Sequence, residues 1–141
     1  MKGRLLLSAF TLLLLTLTAC GGNTAPVGAI PVQITETDFH IASSVTSFIP
    51  GKPYYFEVTN NGKAMHEFMI MSGSAGSMNS MSMGSMDKSA LASLGMIDPG
   101  QTQTLEYTFP TSAAGSHLEF ACHFPGHYEA GMRLDVVVKT A

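Results

Sequence analysis

The chain has 141 residues, enough for one domain of ordinary size. Seven basic and ten acidic side chains give a net charge of −3, and the sequence has no run of Lys and Arg. Nucleic acid is therefore excluded as a partner, because binding to a phosphate backbone needs clustered basic side chains. Only 12% of the residues are charged and tryptophan is absent, a composition that favours a small exported β-rich domain.

Residues 1–19 are predicted to be a signal peptide that does not belong to the fold. Two basic residues precede the apolar run 5–17, which is shorter than the about 20 residues that a membrane-spanning helix needs. The junction Leu17-Thr18-Ala19-Cys20 resembles a bacterial lipobox, which implies cleavage before Cys20 and attachment of lipid to it. Two alternatives remain: an ordinary signal peptide with a free Cys20 thiol, or a pairing of Cys20 with Cys122. Cleavage leaves five basic and ten acidic side chains, a net charge of −5.

The mature chain is predicted to begin with a flexible tether, 20–30, whose residues are small and uncharged. From residue 31 onward, short segments alternate apolar and polar side chains or are rich in β-branched and aromatic residues, which predicts strands. The predicted strands are 32–39, 54–59, 66–71, 101–109, 117–122 and 132–138, with a short strand or irregular turn within 41–49 and one helical turn at 91–94. Short strands separated by turns predict a β-sandwich or barrel over residues 31–141.

The segment 72–90 differs from the rest of the domain, because it consists almost entirely of Ser, Gly and Met. Such a composition buries little apolar surface and predicts a disordered insertion. Its central methionines are Met78, Met81, Met83 and Met86. Thioethers are soft ligands that suit Cu(I), so the insertion is predicted to be either an inert linker or an auxiliary Cu(I) site.

The most specific pattern is a set of metal ligands near the C-terminus. Cys122, His127 and Met132 follow one another at intervals of five residues, and His66 lies upstream in a separate predicted strand. The strand boundaries place the first three in one loop, and Pro125-Gly126 lets that loop turn sharply. A thiolate, two imidazoles and a weak axial thioether are the ligands of a blue-copper electron-transfer centre. The sequence therefore predicts one copper ion that cycles between Cu(I) and Cu(II).

With these ligands, the chain resembles the cupredoxins, the family of plastocyanin, azurin, rusticyanin and auracyanin. The resemblance covers about residues 31–140, and the Cys-x4-His-x4-Met spacing is similar to that of rusticyanin and auracyanin. It implies an all-β fold, an antiparallel Greek-key β-sandwich, with a type I copper site made by the four ligands named above. The chain departs from the family pattern in its insertion 72–90 and at Glu67, where the family often has Asn or Ser bonding to the thiolate.

Other roles for the same residues fit the sequence less well. Zinc sites use Cys, His and carboxylate rather than a thioether. His123 is predicted to point away from Cys122, at the surface or behind the ligands, and His40 and His117 are predicted to be surface histidines. A Cys-His nucleophile pair would need an oxyanion-hole motif and an orienting acid, so the chain is not predicted to be an enzyme. A multicopper oxidase domain would need a His-rich trinuclear motif, which the sequence does not contain.

The sequence is interpreted as a lipid-anchored type I copper protein that carries single electrons between redox partner proteins in the periplasm or at the cell surface. His127 is predicted to reach the surface among Phe124, Pro125, Tyr128 and Ala130, an apolar rim suited to small, transient contacts. The alternative function is a copper-binding or copper-resistance module that buffers or delivers copper, which the Met-rich insertion favours.

Overall fold

The computed structural model describes residues 25–73 and 89–140. Within these ranges the chain forms nine strands, which are β1 (Ile30–Thr37), β2 (His40–Ser43), β3 (Ser47–Phe48), β4 (Pro53–Asn60), β5 (His66–Ser72), β6 (Ala92–Ile97), β7 (Thr102–Thr108), β8 (His117–Ala121) and β9 (Arg133–Val138). A short 3₁₀ helix, Thr111–Ala113, lies between β7 and β8. The described ranges contain no helix that is long and apolar enough to cross a membrane.

The strands form two packed sheets, and the predicted β-sandwich is confirmed. One sheet has the order β2-β1-β4-β7 and the other has the order β3-β9-β8-β5-β6. Two pairs, β1 with β4 and β3 with β9, run parallel, so both sheets are mixed rather than purely antiparallel. A parallel pair needs a crossover connection, and the chain supplies one by passing through β3 of the second sheet on its way from β1 to β4.

Strands occur where the sequence patterns predict them, and the predicted helical turn at 91–94 is wrong. Ala92, Ser93 and Leu94 belong to β6, which pairs antiparallel with β5 at the edge of the second sheet. Apolar residues three apart fit one helical turn as well as an irregular strand. The secondary structure of such a short segment therefore depends on its tertiary neighbours. The available backbone edge of β5 makes the strand the more stable choice.

Aromatic rings fill the space between the sheets. Phe48 contacts four of them, and its ring centroid lies 4.7–5.8 Å from those of Tyr54, Phe56, Phe109 and Phe120. Replacing one buried phenylalanine by alanine costs about 3–5 kcal/mol, because it leaves a cavity in a close-packed core. The loops at the sandwich ends are therefore attached to a rigid support.

The strand registers bring one set of strand ends together. Glu36 near the end of β1 faces Asn60 at the end of β4, and Ala121 at the end of β8 faces Arg133 at the start of β9. This end, where β5 also begins, is called the upper end. At the lower end β1 begins and β5 finishes.

Candidate metal centre

Three of the predicted ligands come together at the upper end of the sandwich. His66 begins β5, Cys122 directly follows β8, and His127 lies in the loop between β8 and β9. All three side chains are buried, and their donor atoms lie within 4.8 Å of one another. The Nδ1 atoms of His66 and His127 are 3.2 Å apart, and the Cys122 Sγ lies 3.5 Å from Nδ1 of His127.

These separations fit donor atoms that share one metal ion. A transition metal bound at about 2.0 Å to nitrogen and about 2.3 Å to sulfur, as in zinc sites, keeps its donors roughly 3.3–3.8 Å apart in a trigonal arrangement. Two imidazoles and a thiolate suit either zinc or copper, whereas a nearby thioether favours copper. The cluster therefore has the spacing and the chemistry of a metal centre.

Met132, the predicted axial ligand, is fully buried and directly precedes β9. Its side chain belongs to the same buried cluster as that of Cys122. The Cys122 N–H donates to the Met132 carbonyl at 3.1 Å, and the Met132 N–H donates to the His127 carbonyl at 3.0 Å. The backbone thus ties the three loop residues into one compact frame.

A tight turn places His127 beside Cys122. The His127 N–H donates to the Phe124 carbonyl at 2.9 Å, with Pro125 and Gly126 at the two central positions. Gly126 has a φ of +84°, which the third position of a type II turn requires and which glycine adopts without strain. The sharp turn expected from Pro125-Gly126 is therefore present.

The Cys122 sulfur is buried and lies close to two acidic residues. Burial raises the pKa of the Cys122 thiol to about 11, and the charges of Glu36 and Glu67 add to this, whereas the backbone N–H groups of Glu67 and Phe124 oppose it. The Glu67 N–H lies 3.5 Å from the sulfur. A buried thiol of this kind is a poor nucleophile. A bound cation would have to replace its proton, as metal binding to thiolates generally does.

Two further residues contact the histidines, and the sequence patterns did not indicate them. β1 ends at Thr37, so Asp38 and Phe39 form a turn instead of continuing the predicted strand 32–39. Asp38 lies 3.2 Å from Nε2 of His66, and the Phe39 ring meets the His127 ring edge-on with centroids 5.1 Å apart. The sequence offers only an acidic residue at the end of a strand, and that feature is too common to identify a contact with a metal-binding histidine.

The remaining histidines lie outside the three-donor cluster. His40 and His117 are exposed, as predicted. His123 is buried, and its ring stacks on Tyr128 with centroids 4.5 Å apart. Its Nε2 has no hydrogen-bond partner among the described residues. His123 is therefore not at the surface, which was one of the two placements predicted for it.

The predicted apolar rim around His127 is wrong in part. Tyr128 is buried, and its hydroxyl donates to the Glu119 carboxylate at 3.1 Å. It packs in a second small cluster on the outer face of the second sheet, with Met69, Met71 and Ala121. Only 6% of His127 is exposed, while Pro125 and Ala130 are exposed as expected and Phe124 is half-buried. The outer face of this sheet is covered, which the alternating pattern of β8 alone did not reveal.

Several predictions fall on residues that the structure does not describe. The signal peptide 1–19 and the lipid attachment site Cys20 lie outside the described ranges, as does the first part of the tether. The same holds for the proposed auxiliary ligands, Met78, Met81, Met83 and Met86.

No protein-family model matches the chain. The copper-resistant cuproprotein CopI of Pseudomonas aeruginosa is 25% identical over an alignment 132 positions long, and the match covers 72% of this chain and 71% of that protein. CopI of Rubrivivax gelatinosus is 33% identical over an alignment 94 positions long, and the match covers 63% of this chain and 53% of that protein. The match therefore spans about half the length of the second relative.

Solved structures with the same architecture include two auracyanins. Auracyanin of Roseiflexus castenholzii superposes with a TM-score of 0.62 at 20% identity, over 79% of this chain and 98% of that chain. Auracyanin A of Chloroflexus aurantiacus, described as a "blue" copper protein, superposes with a TM-score of 0.61 at 20% identity, over 79% of this chain and 100% of that chain. The fold of the chain is therefore that of the cupredoxins.

Proposed function

We propose that the chain is a type I copper protein that carries single electrons. His66, Cys122 and His127 would hold the metal, and Met132 would supply a weak thioether ligand. The observation that carries the proposal is the convergence of three buried donor atoms, 3.2 and 3.5 Å apart, in a cupredoxin fold. The auracyanin A described as a blue copper protein and the two CopI cuproproteins support copper as the metal.

The chain's own contribution is a rigid and largely dry set of donors. Bound copper supplies a couple between Cu(I) and Cu(II), to which thiolate, thioether and imidazole are all suited. The backbone hydrogen bonds among Cys122, His127 and Met132 fix the loop, and β5 fixes His66 to the aromatic core. Donors that keep their positions in both oxidation states allow an electron to pass with little rearrangement.

Exposed apolar side chains flank the two histidines and provide a surface for redox partners. Phe39 packs on His127 and is 46% exposed, while Met65 directly precedes His66 and is 41% exposed. Pro125 lies in the same turn as His127 and is exposed. A small apolar surface of this kind suits the transient contacts that electron carriers make with donor and acceptor proteins.

The second candidate function is copper buffering or delivery. It is favoured by the two CopI relatives, whose names record copper resistance, and by the methionines of the insertion 72–90. The two functions differ in what happens to the bound copper when it is reduced. An electron carrier keeps its copper through repeated reduction and oxidation, whereas a delivery protein releases it to an acceptor.

The proposed location is outside the cytoplasm, with a lipid on Cys20 as the anchor. The lipobox-like junction supports the anchor, and the low charge and β-rich composition support export. An extracytoplasmic site also suits a protein that carries electrons between partners held at a membrane.

An absorption and electron-paramagnetic-resonance spectrum of the copper-loaded mature chain tests the main proposal. We expect an intense visible charge-transfer band and a narrow copper hyperfine splitting, both lost in Cys122→Ser. The control is His117→Asn, which changes an exposed histidine at the lower end and should leave both signals unchanged. A Cys122→Ser protein with its colour intact would refute the thiolate assignment. Loss of copper on each reduction would favour delivery over electron transfer.

A further inference from the structure

The turn between β1 and β2 contacts both histidines of the metal centre. Asp38 places a carboxylate oxygen 3.2 Å from Nε2 of His66, on the side of the ring opposite the Nδ1 atom that faces His127. Phe39, the next residue, packs edge-on against the His127 ring. Neither residue belongs to the three-donor cluster, so each meets the site through a histidine.

The Asp38 carboxylate is held in place independently of His66. Its Oδ1 accepts hydrogen bonds from the backbone N–H groups of Lys63 and Ala64, at 3.0 and 3.2 Å, and its Oδ2 lies 3.1 Å from the same Lys63 nitrogen. These bonds fix the carboxylate in position, so Asp38 presents a fixed acceptor to the imidazole.

The contact between Asp38 and His66 depends on glycine at position 62. A Cβ there would lie 2.5 Å from Oδ1 of Asp38 and 2.6 Å from Nε2 of His66, closer than carbon atoms approach in real structures. The turn cannot simply move away, because the Asn60 side-chain amide donates to the carbonyls of Ala64 and Ile97, both at 2.8 Å. The turn from Asn60 to His66 is thus shaped to admit the carboxylate–imidazole pair.

The backbone of the β1–β2 turn is strained in a way that serves both contacts. Phe39 has a φ of +68°, a left-handed conformation that aromatic residues seldom adopt. This conformation reverses the chain directly after Asp38, so that Asp38 reaches His66 while Phe39 covers His127. Strain of this kind persists where the surrounding structure requires it, and it is concentrated at functional sites.

We propose that Asp38 is a positioning residue of the metal centre, which holds the hydrogen of His66 on Nε2 and strengthens Nδ1 as a donor to Cu(II). This inference rests on the copper function proposed above. A carboxylate that accepts the second N–H of a metal-bound histidine orients the ring and increases its basicity. A stronger donor and a nearby negative charge stabilise the more positive oxidation state. Asp38 therefore lowers the reduction potential of the site.

The test compares wild type with Asp38→Ala, which removes the acceptor, and Asp38→Asn, which removes only the charge. Loss of such a partner weakens metal binding about 10- to 100-fold. If the loss falls on Cu(II) alone, the potential rises by about 59 mV for each tenfold change. We expect the full rise in Asp38→Ala and a smaller one in Asp38→Asn. Glu106→Gln, which removes one exposed charge from β7, is the control and should leave the potential unchanged.

A second measurement uses the copper-free chain and does not depend on the metal. Nitrogen NMR should show His66 with its hydrogen on Nε2 in wild type and a mixture of tautomers in Asp38→Ala. Gly62→Ala, which displaces the carboxylate without removing it, should change the tautomer and the potential in the same direction. Unchanged tautomer and potential in Asp38→Ala would overturn the inference. A wild-type chain that gives the Nε2–H tautomer but no blue copper spectrum would instead refute the proposed function.

Discussion

Glu67 joins the two segments that carry the ligands, because its carboxylate accepts a hydrogen bond from the His123 backbone N–H at 3.0 Å. Its own N–H lies 3.5 Å from the Cys122 sulfur. One residue thus ties the start of the ligand loop to the start of β5. Glutamate at this position forms a bridge between the segments and adds a negative charge near the sulfur.

Replacing Glu67 by glutamine should raise the reduction potential and keep the blue spectrum. Glutamine retains an oxygen that accepts the His123 N–H, but it removes a negative charge that favours the oxidised metal.

A second variant, Glu67→Leu, should lower the free energy of unfolding by about 1–3 kcal/mol, because it leaves the buried His123 N–H group without its acceptor. Voltammetry and urea denaturation measure the two effects. Equal potentials in wild type and Glu67→Gln would show that this charge does not act on the site.

Met132→Leu should raise the reduction potential and retain most of the colour. The two side chains have similar volumes, so packing should cost less than about 1.5 kcal/mol, while the oxidised metal loses a weak donor. The matched control is Met71→Leu, the same change at a fully buried methionine of the outer cluster. Voltammetry should separate the two variants. A potential that moves equally in both, or in neither, would remove Met132 from the ligand set.

Glu36 should make the stability of the chain depend on pH. Both of its carboxylate oxygens are buried without a hydrogen-bond partner in the described ranges, and burial, with the charge of Glu67, raises its pKa to about 8 from an ordinary 4.5. Neutral Glu36 makes its full contribution to the free energy of unfolding below the pKa that it has in the unfolded chain. That contribution is lost as the pH rises towards the higher pKa that it has in the folded chain. The free energy of unfolding should therefore fall with a slope approaching about 1.4 kcal/mol per pH unit, and level off above about pH 8.

Glu36→Gln should flatten this dependence, because a neutral amide replaces the group that ionises. Urea denaturation of the copper-free chain between about pH 5 and about pH 9 measures it, with Glu106→Gln as a control at an exposed position. We expect the Glu36 variant to gain stability relative to wild type as the pH rises. Parallel curves for wild type and Glu36→Gln would contradict the assignment of a buried neutral carboxyl group.

Changing Met78, Met81, Met83 and Met86 together to serine should remove Cu(I) capacity beyond the first equivalent. The potential and colour of the main site should stay the same, because the described ends of the insertion are held at the lower end. Gly73 donates to the His117 carbonyl at 3.1 Å, and Leu91 donates to the Ile70 carbonyl at 2.8 Å. Titration with Cu(I) against a chelator gives the stoichiometry. Equal capacity in both proteins would favour an inert linker.

Cys20→Ala should release the protein from the membrane without changing its copper spectrum. Each buried CH₂ of an acyl chain contributes about 0.8 kcal/mol to membrane binding, and stable anchoring needs more than one chain. Loss of the modified cysteine removes these chains and should therefore abolish membrane attachment. Fractionation of cells expressing each protein measures it. Membrane retention of the variant would indicate an uncleaved N-terminal helix instead.

The strands and the clustered site residues could be predicted because their signals are local. Alternation of apolar and polar side chains follows from the two faces of a strand, and Cys122, His127 and Met132 lie within eleven residues of one another. His66 lies far from these three residues in the sequence, so its place in the ligand set was predicted from its residue type and not from a local spacing. The structure brings it to the other two donors, although it is 61 positions from His127 in sequence.

The contacts around the ligands could not be predicted, because they depend on strand register. Asp38 meets His66 only because β1 pairs in parallel with β4 so that Glu36 faces Asn60. A shift of one residue would turn every side chain of β1 to the other face. Likewise, Tyr128 was expected on the surface because nothing in its own segment shows that the outer face of the second sheet is covered.

The first strand also sets the distance between the tether and the metal centre. Glu36, at the upper end, lies six positions after Ile30, at the lower end. At about 3.3 Å per residue, the tether joins the domain roughly 20 Å from the metal centre. If Cys20 carries the proposed lipid, the metal centre therefore lies at the end of the domain farther from the point of attachment. The exposed ring of Phe39 lies at that same end, so the proposed anchor and the proposed partner surface occupy opposite ends of the sandwich.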